Sequence, residues 1–307
     1  MSDFLEQVIA ERRADAMTSE RRILEVDLAR DARDNVWTRA TKDGTAGQLV
    51  AASRSWTEPT FPIRYGDAFT FALQARRAEG HLAVIAEVKR VSPALGVLEA
   101  NADSATMARG YAAAGATAIS VLTEPRHWGG SIADLAAVRD ALPTMPILCK
   151  DVIVHQQQIV EARAAGADAV LLIAEALTDD ELRSLMAHAR TMNMGVLLEA
   201  HEPIAFGRAV ALRTSVIGIN ARNLRRPTEI DIGRARQLHG FAQPWHILVA
   251  ESGIATVDDA RLLPARVDAV LIGTALMRAA DPKPLISAIA SIRKTTTPPP
   301  VGSAPRR

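Results

Sequence analysis

The chain has a single cysteine, Cys149, among 307 residues. One thiol cannot form an internal disulfide and supplies no cysteine-based zinc pattern. It fits a reducing compartment. Net charge is equally scarce. Lys and Arg number 36 against 35 Asp and Glu, a formal charge of +1, so bulk electrostatics point to neither nucleic acid nor an anionic membrane. Long hydrophobic runs are missing as well. No uninterrupted apolar stretch reaches the length of a membrane span. The opening MSDFLEQVIAERRADAM is charged and amphipathic, without the apolar core of a signal peptide. These absences lead us to expect a soluble, cytoplasmic protein.

What is present is ordinary globular material, 48% hydrophobic and 23% charged. The chain is long enough for one large barrel or two medium domains. Its most informative stretch is VIAEVKRVSP, residues 84 to 93. It opens as an apolar run suited to a buried strand, then places Glu87 and Lys89 two residues apart, on one face. Ser92 and Pro93 end it. A buried acid–base pair at a strand end is costly unless its charges are used or neutralised. A structural ion pair is the plain alternative.

From there the chain is regular. Apolar runs begin at residues 84, 118, 146, 169, 195, 216, 246 and 269. Each is followed by a helical pattern, and the gaps suit one crossover helix per strand. The runs are apolar almost throughout instead of alternating, which predicts parallel strands covered on both sides. Gly115 and Gly166 stand where a glycine would end a helix. Thr178 with Glu181 has capping-box spacing. Eight βα units in about 200 residues predict an α/β fold, a (β/α)8 TIM barrel; an open doubly wound sheet is the alternative.

We place the barrel at residues 81–293. Residues 1–80 read as an N-terminal helical extension packed on it. Within the extension we expect helix from 3 to about 33, loops around a short helix over 34–66, and helix again over 68–77. The tail, 294–307, has three consecutive prolines and almost no apolar content, and reads as disordered.

In such a barrel the active site lies at the C-terminal ends of the strands, and polar residues gather there. They are Glu87 and Lys89 on the first strand, Lys150 and Asp151 on the third, and Glu199 on the fifth. Asn220 and Arg222 follow on the sixth, Glu251 and Ser252 on the seventh, Gly273 and Thr274 on the eighth. This set offers acid–base chemistry. It holds no usable cysteine, no Ser–His–Asp order and no clustered histidines; His127, His155 and His201 read as surface residues. Two neighbouring ammonium groups would lower at least one lysine pKa toward the range of a general acid. A Schiff-base lysine is the alternative. ESGIATVDDA and LIGTALMRAA each place a glycine after a strand, opening a helix whose N–H groups would bind phosphate. Lys89 and Ser92 stand near enough in the barrel order to assist.

IAEVKRVSP, SVLTEPRHWGGS, ILCKD, LLEAH, GINARNL, VAESGI and LIGTALM, in this order, resemble indole-3-glycerol-phosphate synthase over residues 80 to 280. The resemblance implies a cofactor-free and metal-free enzyme of tryptophan biosynthesis, a carboxy-lyase. It would close the pyrrole ring of 1-(o-carboxyphenylamino)-1-deoxyribulose 5-phosphate with loss of carbon dioxide and water. Lys150 is then the general acid and Glu199 its partner in dehydration. Lys89 contributes to carboxylate binding and proton transfer, while Glu87 and Asn220 steer these groups. Arg222 would clamp the anthranilate carboxylate, a task suited to guanidinium, and Ser252 would lie at the substrate. Pro93, Trp128, Leu224, Glu251 and Leu271 match substrate-binding positions. Lys89, Ser92, Gly253, Gly273 and Thr274 match the phosphate shell. Contact with other tryptophan-pathway enzymes is a further expectation.

Three departures stand out. Val152 occupies a position where the family commonly has an aromatic beside the substrate ring. Ala221 replaces the second asparagine of GINNR, and Ala94-Leu95 stands where Ser-Lys is common. Other phosphate-binding barrels are the competing readings. An isomerase of phosphoribosylanthranilate would need a cysteine on strand 1, where Glu87 and Lys89 stand. A catalytically silent barrel would need the phosphate site but neither Lys150 nor Glu199.

Overall fold

The computed structural model describes residues 3–18, 67–100 and 102–294. The loops expected over 34–66, the later part of the first helix and the tail from 295 onward lie outside them. Eight strands close into a parallel barrel. They are β1 (Ala83–Val88), β2 (Ala118–Leu122), β3 (Ile147–Lys150), β4 (Ala169–Ile173), β5 (Gly195–Ala200), β6 (Val216–Asn220), β7 (Ile247–Glu251) and β8 (Ala269–Ile272). These are the eight apolar runs. On one side β1 pairs with β2, Glu87 opposite Ser120, and on the other with β8, Ile85 opposite Leu271. That closure excludes the open doubly wound sheet.

Burial explains the unbroken apolar pattern. Every residue of these strands except Lys150 is buried, because inward faces fill the barrel and outward faces meet helices. Among the described residues the helices are α1 (4–18), α2 (Ala68–Ala78), α3 (Ser104–Ala113), α4 (Ile132–Ala141), α5 (Gln156–Ala164) and α6 (Asp179–Thr191). They continue with α7 (Pro203–Ala211), α8 (Arg234–Leu238), α9 (Val257–Arg261), α10 (Thr274–Arg278) and α11 (Lys283–Ala290). Gly115 and Gly166 follow α3 and α5 with φ of 97° and 100°, the left-handed turn that a glycine makes without steric cost. Thr178 and Glu181 form the expected reciprocal box at the start of α6.

The two ends of the barrel are built differently. At the N-terminal end, Asp168 and Asp268 each accept a backbone N–H from the start of the preceding strand, that of Ile147, first in β3, and that of Leu248, second in β7, both at 2.9 Å. Arg139 and Arg266 neutralise these buried carboxylates at 2.5 and 2.6 Å. Helix α2 covers this end: Phe69 and Leu73 are fully buried, each contributing about 1.5–3 kcal/mol, and Arg77 donates to the His246 carbonyl at 3.0 Å. With that end tied down, the opposite ends of the strands carry the polar residues.

Candidate active site

One cavity of about 310 Å³ opens at the C-terminal ends of the strands. Its wall contains every residue assigned to the site from sequence except Ser92. Ser92 is buried in a two-residue hairpin after β1, where Val91–Ser92 pairs with Gly96–Val97. At the centre of the cavity floor is Lys150, the last residue of β3. Its Nζ donates to Glu199 Oε2 on β5 at 2.9 Å and lies 3.3 Å from Glu251 Oε2 on β7. Asn220, at the end of β6, locks the far side of Glu199 by donating from Nδ2 to Oε1 at 2.9 Å. The other face of the same amide accepts the Arg222 backbone N–H at 2.9 Å. One asparagine therefore orients the carboxylate and the turn leading to the guanidinium.

The three charges do not titrate alike. Burial opposes the Lys150 ammonium, but Glu199, Glu251 and Glu87 outweigh it and raise the lysine's pKa. The lowering expected from a neighbouring ammonium is thus reversed, because carboxylates from β1, β5 and β7 surround the group. Burial works against the Glu199 carboxylate too, yet Lys150 and Asn220 hold its pKa below the usual carboxylate range. Glu251 goes the other way. Burial, then the Glu199 charge beside it, pushes it well above that range. The Lys150 ammonium, 3.3 Å from its Oε2, opposes this rise only in part. The floor thus favours a proton on Lys150 and on Glu251 and the bare carboxylate on Glu199.

Around this floor stand two further groups. Lys89 Nζ pairs with Glu87 Oε1 at 2.8 Å, so the two residues do share a face. Gly273 makes this possible, since a Cβ there would overlap the Glu87 carboxylate. Arg222 is half-buried at the rim, and burial lowers its pKa. Its Nη1 donates to the Pro227 carbonyl, and among the described residues no carboxylate forms an ion pair with it. A third part of the wall comes from the ends of β7 and β8. Ser252 and Gly253 adopt successive left-handed conformations, φ 64° and 74°, which a serine adopts only where its surroundings enforce it. The helix expected directly after Gly253 starts later, at Val257, with its own box between Thr256 and Asp259. Gly273 is the N-cap of α10, whose first residue is Thr274.

Helix α1 lies over this mouth, and sequence reasoning left its position open. Phe4 and Leu5 line the cavity, Phe4 packs on Trp128 with ring centroids 5.7 Å apart, and Glu11 pairs with His127 at 2.7 Å. Trp128 is itself held by Glu124, whose carboxylate accepts the backbone N–H groups of Arg126, His127 and Trp128 at 3.1, 2.7 and 3.0 Å. Arg278, one turn into α10, was also missed; a cation following a glycine-opened helix was the available signal. The histidines need one correction. His201 is buried, not superficial, and its Nδ1 meets the Asn220 carbonyl at 2.8 Å.

Fold and site together define a (β/α)8 barrel enzyme, with a buried lysine–carboxylate floor and a glycine-built wall at β7 and β8. The family model described as indole-3-glycerol phosphate synthase matches residues 63–289, and the chain belongs to that family. It is 51% identical over 208 residues to the indole-3-glycerol phosphate synthase of Nocardioides sp., covering 67% of this chain and 79% of that one. The enzyme of the same name from Polaromonas sp. is 39% identical over 284 residues, covering 92% and 96%. Among solved structures, the tryptophan synthase alpha chain from Legionella pneumophila superposes with TM-score 0.55 at 12% identity, over 73% of this chain and 95% of that one. The 3-hexulose-6-phosphate synthase from Salmonella typhimurium gives 0.52 at 14%, over 68% and 97%. Those two likenesses concern the fold alone.

Proposed function

We propose that the chain is an indole-3-glycerol phosphate synthase of tryptophan biosynthesis. Its reaction is a carboxy-lyase ring closure on 1-(o-carboxyphenylamino)-1-deoxyribulose 5-phosphate. The observation that carries the roles is Lys150 held between Glu199 and Glu251. With its pKa raised, Lys150 is loaded with a proton before substrate arrives. As the ring carbon attacks the substrate carbonyl carbon, a C–C bond forms and the carbonyl oxygen takes the Lys150 proton to become a hydroxyl. The ring is then an iminium, and the electron pair of the departing carboxylate neutralises it, so carbon dioxide leaves without a metal. Glu199, ionised and fixed by Asn220, accepts the ring proton while the Lys89 ammonium gives a proton to the hydroxyl, which leaves as water.

The remaining wall binds and orients. Arg222, which pairs with no carboxylate among the described residues, takes the substrate carboxylate, and Lys89 assists there and in proton transfer. Gly253, Gly273 and Thr274, with Ser252 beside them, receive the phosphate. Ser92 acts from behind the wall, through the hairpin that carries Pro93. A Schiff-base route is disfavoured by the same observation, since a lysine kept as ammonium is a poor amine nucleophile. The protein works in the cytoplasm on a free phosphorylated small molecule.

The deciding experiment is a fluorescence assay for the indole product with purified protein and this substrate, beside Lys150→Ala. Product from the wild type and none from the variant is expected. No product from folded wild type would send the search to other sugar phosphates.

A further inference from the structure

The roles above leave one charged contact beside Lys150 without a task. Asp151 follows Lys150 directly, and its carboxylate is buried. Three donors hold it: the Val152 backbone N–H at 2.8 Å, the Thr123 hydroxyl at 2.8 Å and the Arg12 guanidinium at 2.9 Å. Of the three only Arg12 is charged, and it comes from α1, 139 residues away in sequence. Arg12 is itself mostly buried, with Nη1 3.4 Å from Asp15 and Nε lacking a partner.

This anchor falls where one strand ladder is short. On the β2 side the ladder reaches Lys150, which pairs with Leu122. On the β4 side the pairing stops one residue earlier, at Cys149 with Val170. Lys150 and Asp151 therefore leave the barrel with ladder pairing on one side only, and besides the pairing of the Lys150 ammonium with Glu199 and Glu251 the Asp151 carboxylate ties this strand end down. Burial favours the neutral acid at Asp151, and the Arg12 charge opposes that. Without Arg12 a buried carboxylate would lose its one cation and would protonate or turn toward water.

We propose that Arg12 is a positioning residue for Lys150, acting through the Asp151 carboxylate, so that docking of α1 on the mouth sets the aim of the ammonium. This rests on the assignment of Lys150 as the acid. Small displacements of a reacting group cost rate more than binding, so Arg12→Met, which keeps the apolar stem, lowers kcat about tenfold and leaves KM nearly unchanged.

The test measures kcat, KM and Tm for Arg12→Met, Arg12→Lys, Asp151→Asn and the double variant Arg12→Met with Asp151→Asn, with Lys150→Ala in parallel. Lysine at position 12 restores most of the rate, and the double variant is no slower than Asp151→Asn alone, because both act through one contact. Wild-type kcat in folded Arg12→Met, a loss confined to KM, or losses that multiply would each overturn the proposal. Should Arg12→Met not fold, Asp151→Asn decides: a selective kcat loss upholds it and an unchanged kcat overturns it. Turnover retained by Lys150→Ala would overturn the acid assignment and this inference together. An inactive Lys150→Ala beside an unimpaired Arg12→Met would overturn this inference alone.

Discussion

Gly218 leaves the space that the Glu251 carboxylate occupies: a Cβ at this position of β6 would overlap Oε1 of Glu251 on β7. The glycine sits in regular strand pairing, opposite Val249 and Glu199, so its task is room and not backbone freedom. Glu251 is buried at the cavity floor beside Glu199 and Lys150. Gly218→Ala should therefore push the carboxyl against its neighbours. We expect a loss of about 1–3 kcal/mol in stability and a fall in kcat of about ten- to a hundredfold. Urea midpoints and steady-state rates would check both. A variant with wild-type kcat would mean that Glu251 moves without consequence for Lys150.

Much of this arrangement was legible before the structure. The eight strands were readable because a strand covered on both faces must be apolar throughout. The site was readable because Glu87, Lys150, Glu199, Asn220 and Glu251 interrupt that pattern at one end only. What was not legible depends on convergence in space. The pKa direction of Lys150 is set by carboxylates on β1, β5 and β7, and no spacing along the chain reveals which of them it meets. The docking of α1 was hidden for a similar reason. Its apolar stripe, with Leu5 and Val8 buried, shows that the helix packs but not on which end of the barrel. The burial of His201 follows from the Asn220 carbonyl one strand away, a partner that the histidine's own neighbourhood in sequence does not suggest.

Removing the proton donor should separate chemistry from binding. Lys150→Ala takes away the ammonium and leaves Glu199 held by Asn220. We expect kcat to fall by about two to four orders of magnitude, the usual worth of a positioned acid, with KM close to wild type. The check is full steady-state kinetics at saturating substrate. A large rise in KM with kcat unchanged would make Lys150 a binding residue only.

The opposed carboxyls predict opposed pH dependences of stability. Glu251 has a folded-state pKa raised well above 4.5. From 4.5 up to that raised value, the folded chain keeps a proton that the unfolded chain releases, so this residue's contribution declines as pH rises through the window. Glu251→Gln, a neutral isostere, removes the decline, and its Tm should gain on the wild type as pH is raised. Glu199 behaves in reverse. Its folded pKa is lowered, so it contributes stability above 4.5 that is lost as pH falls through the folded value. Glu199→Gln should cost stability at neutral pH and little in acid. A pair of Tm profiles across neutral and acidic pH measures both, and a pH-independent difference for Glu251→Gln would rule out a retained proton there.

Arg222 offers the complementary test of binding. Its guanidinium stands half-buried at the cavity wall, donates to the Pro227 carbonyl and lowers its pKa through burial. Among the described residues no carboxylate pairs with it, so burial disfavours this cation and an arriving anion favours it, which is how binding energy is placed on one substrate group. Arg222→Ala should raise KM for the carboxylate-bearing substrate by about ten- to a hundredfold, the worth of a charge-assisted hydrogen bond at about 1.5–3 kcal/mol. The effect on kcat should be small, because Asn220 still accepts the backbone N–H at position 222 and the Lys150–Glu199 pair is untouched. Lysine at this position should restore only part of the affinity, since an ammonium cannot form the two parallel bonds of a guanidinium fork. Titration with a carboxylate-bearing and a carboxylate-free analogue separates the contributions. If Arg222→Ala weakened both analogues equally, the residue would be shaping the wall through Pro227 and not recognising the carboxylate.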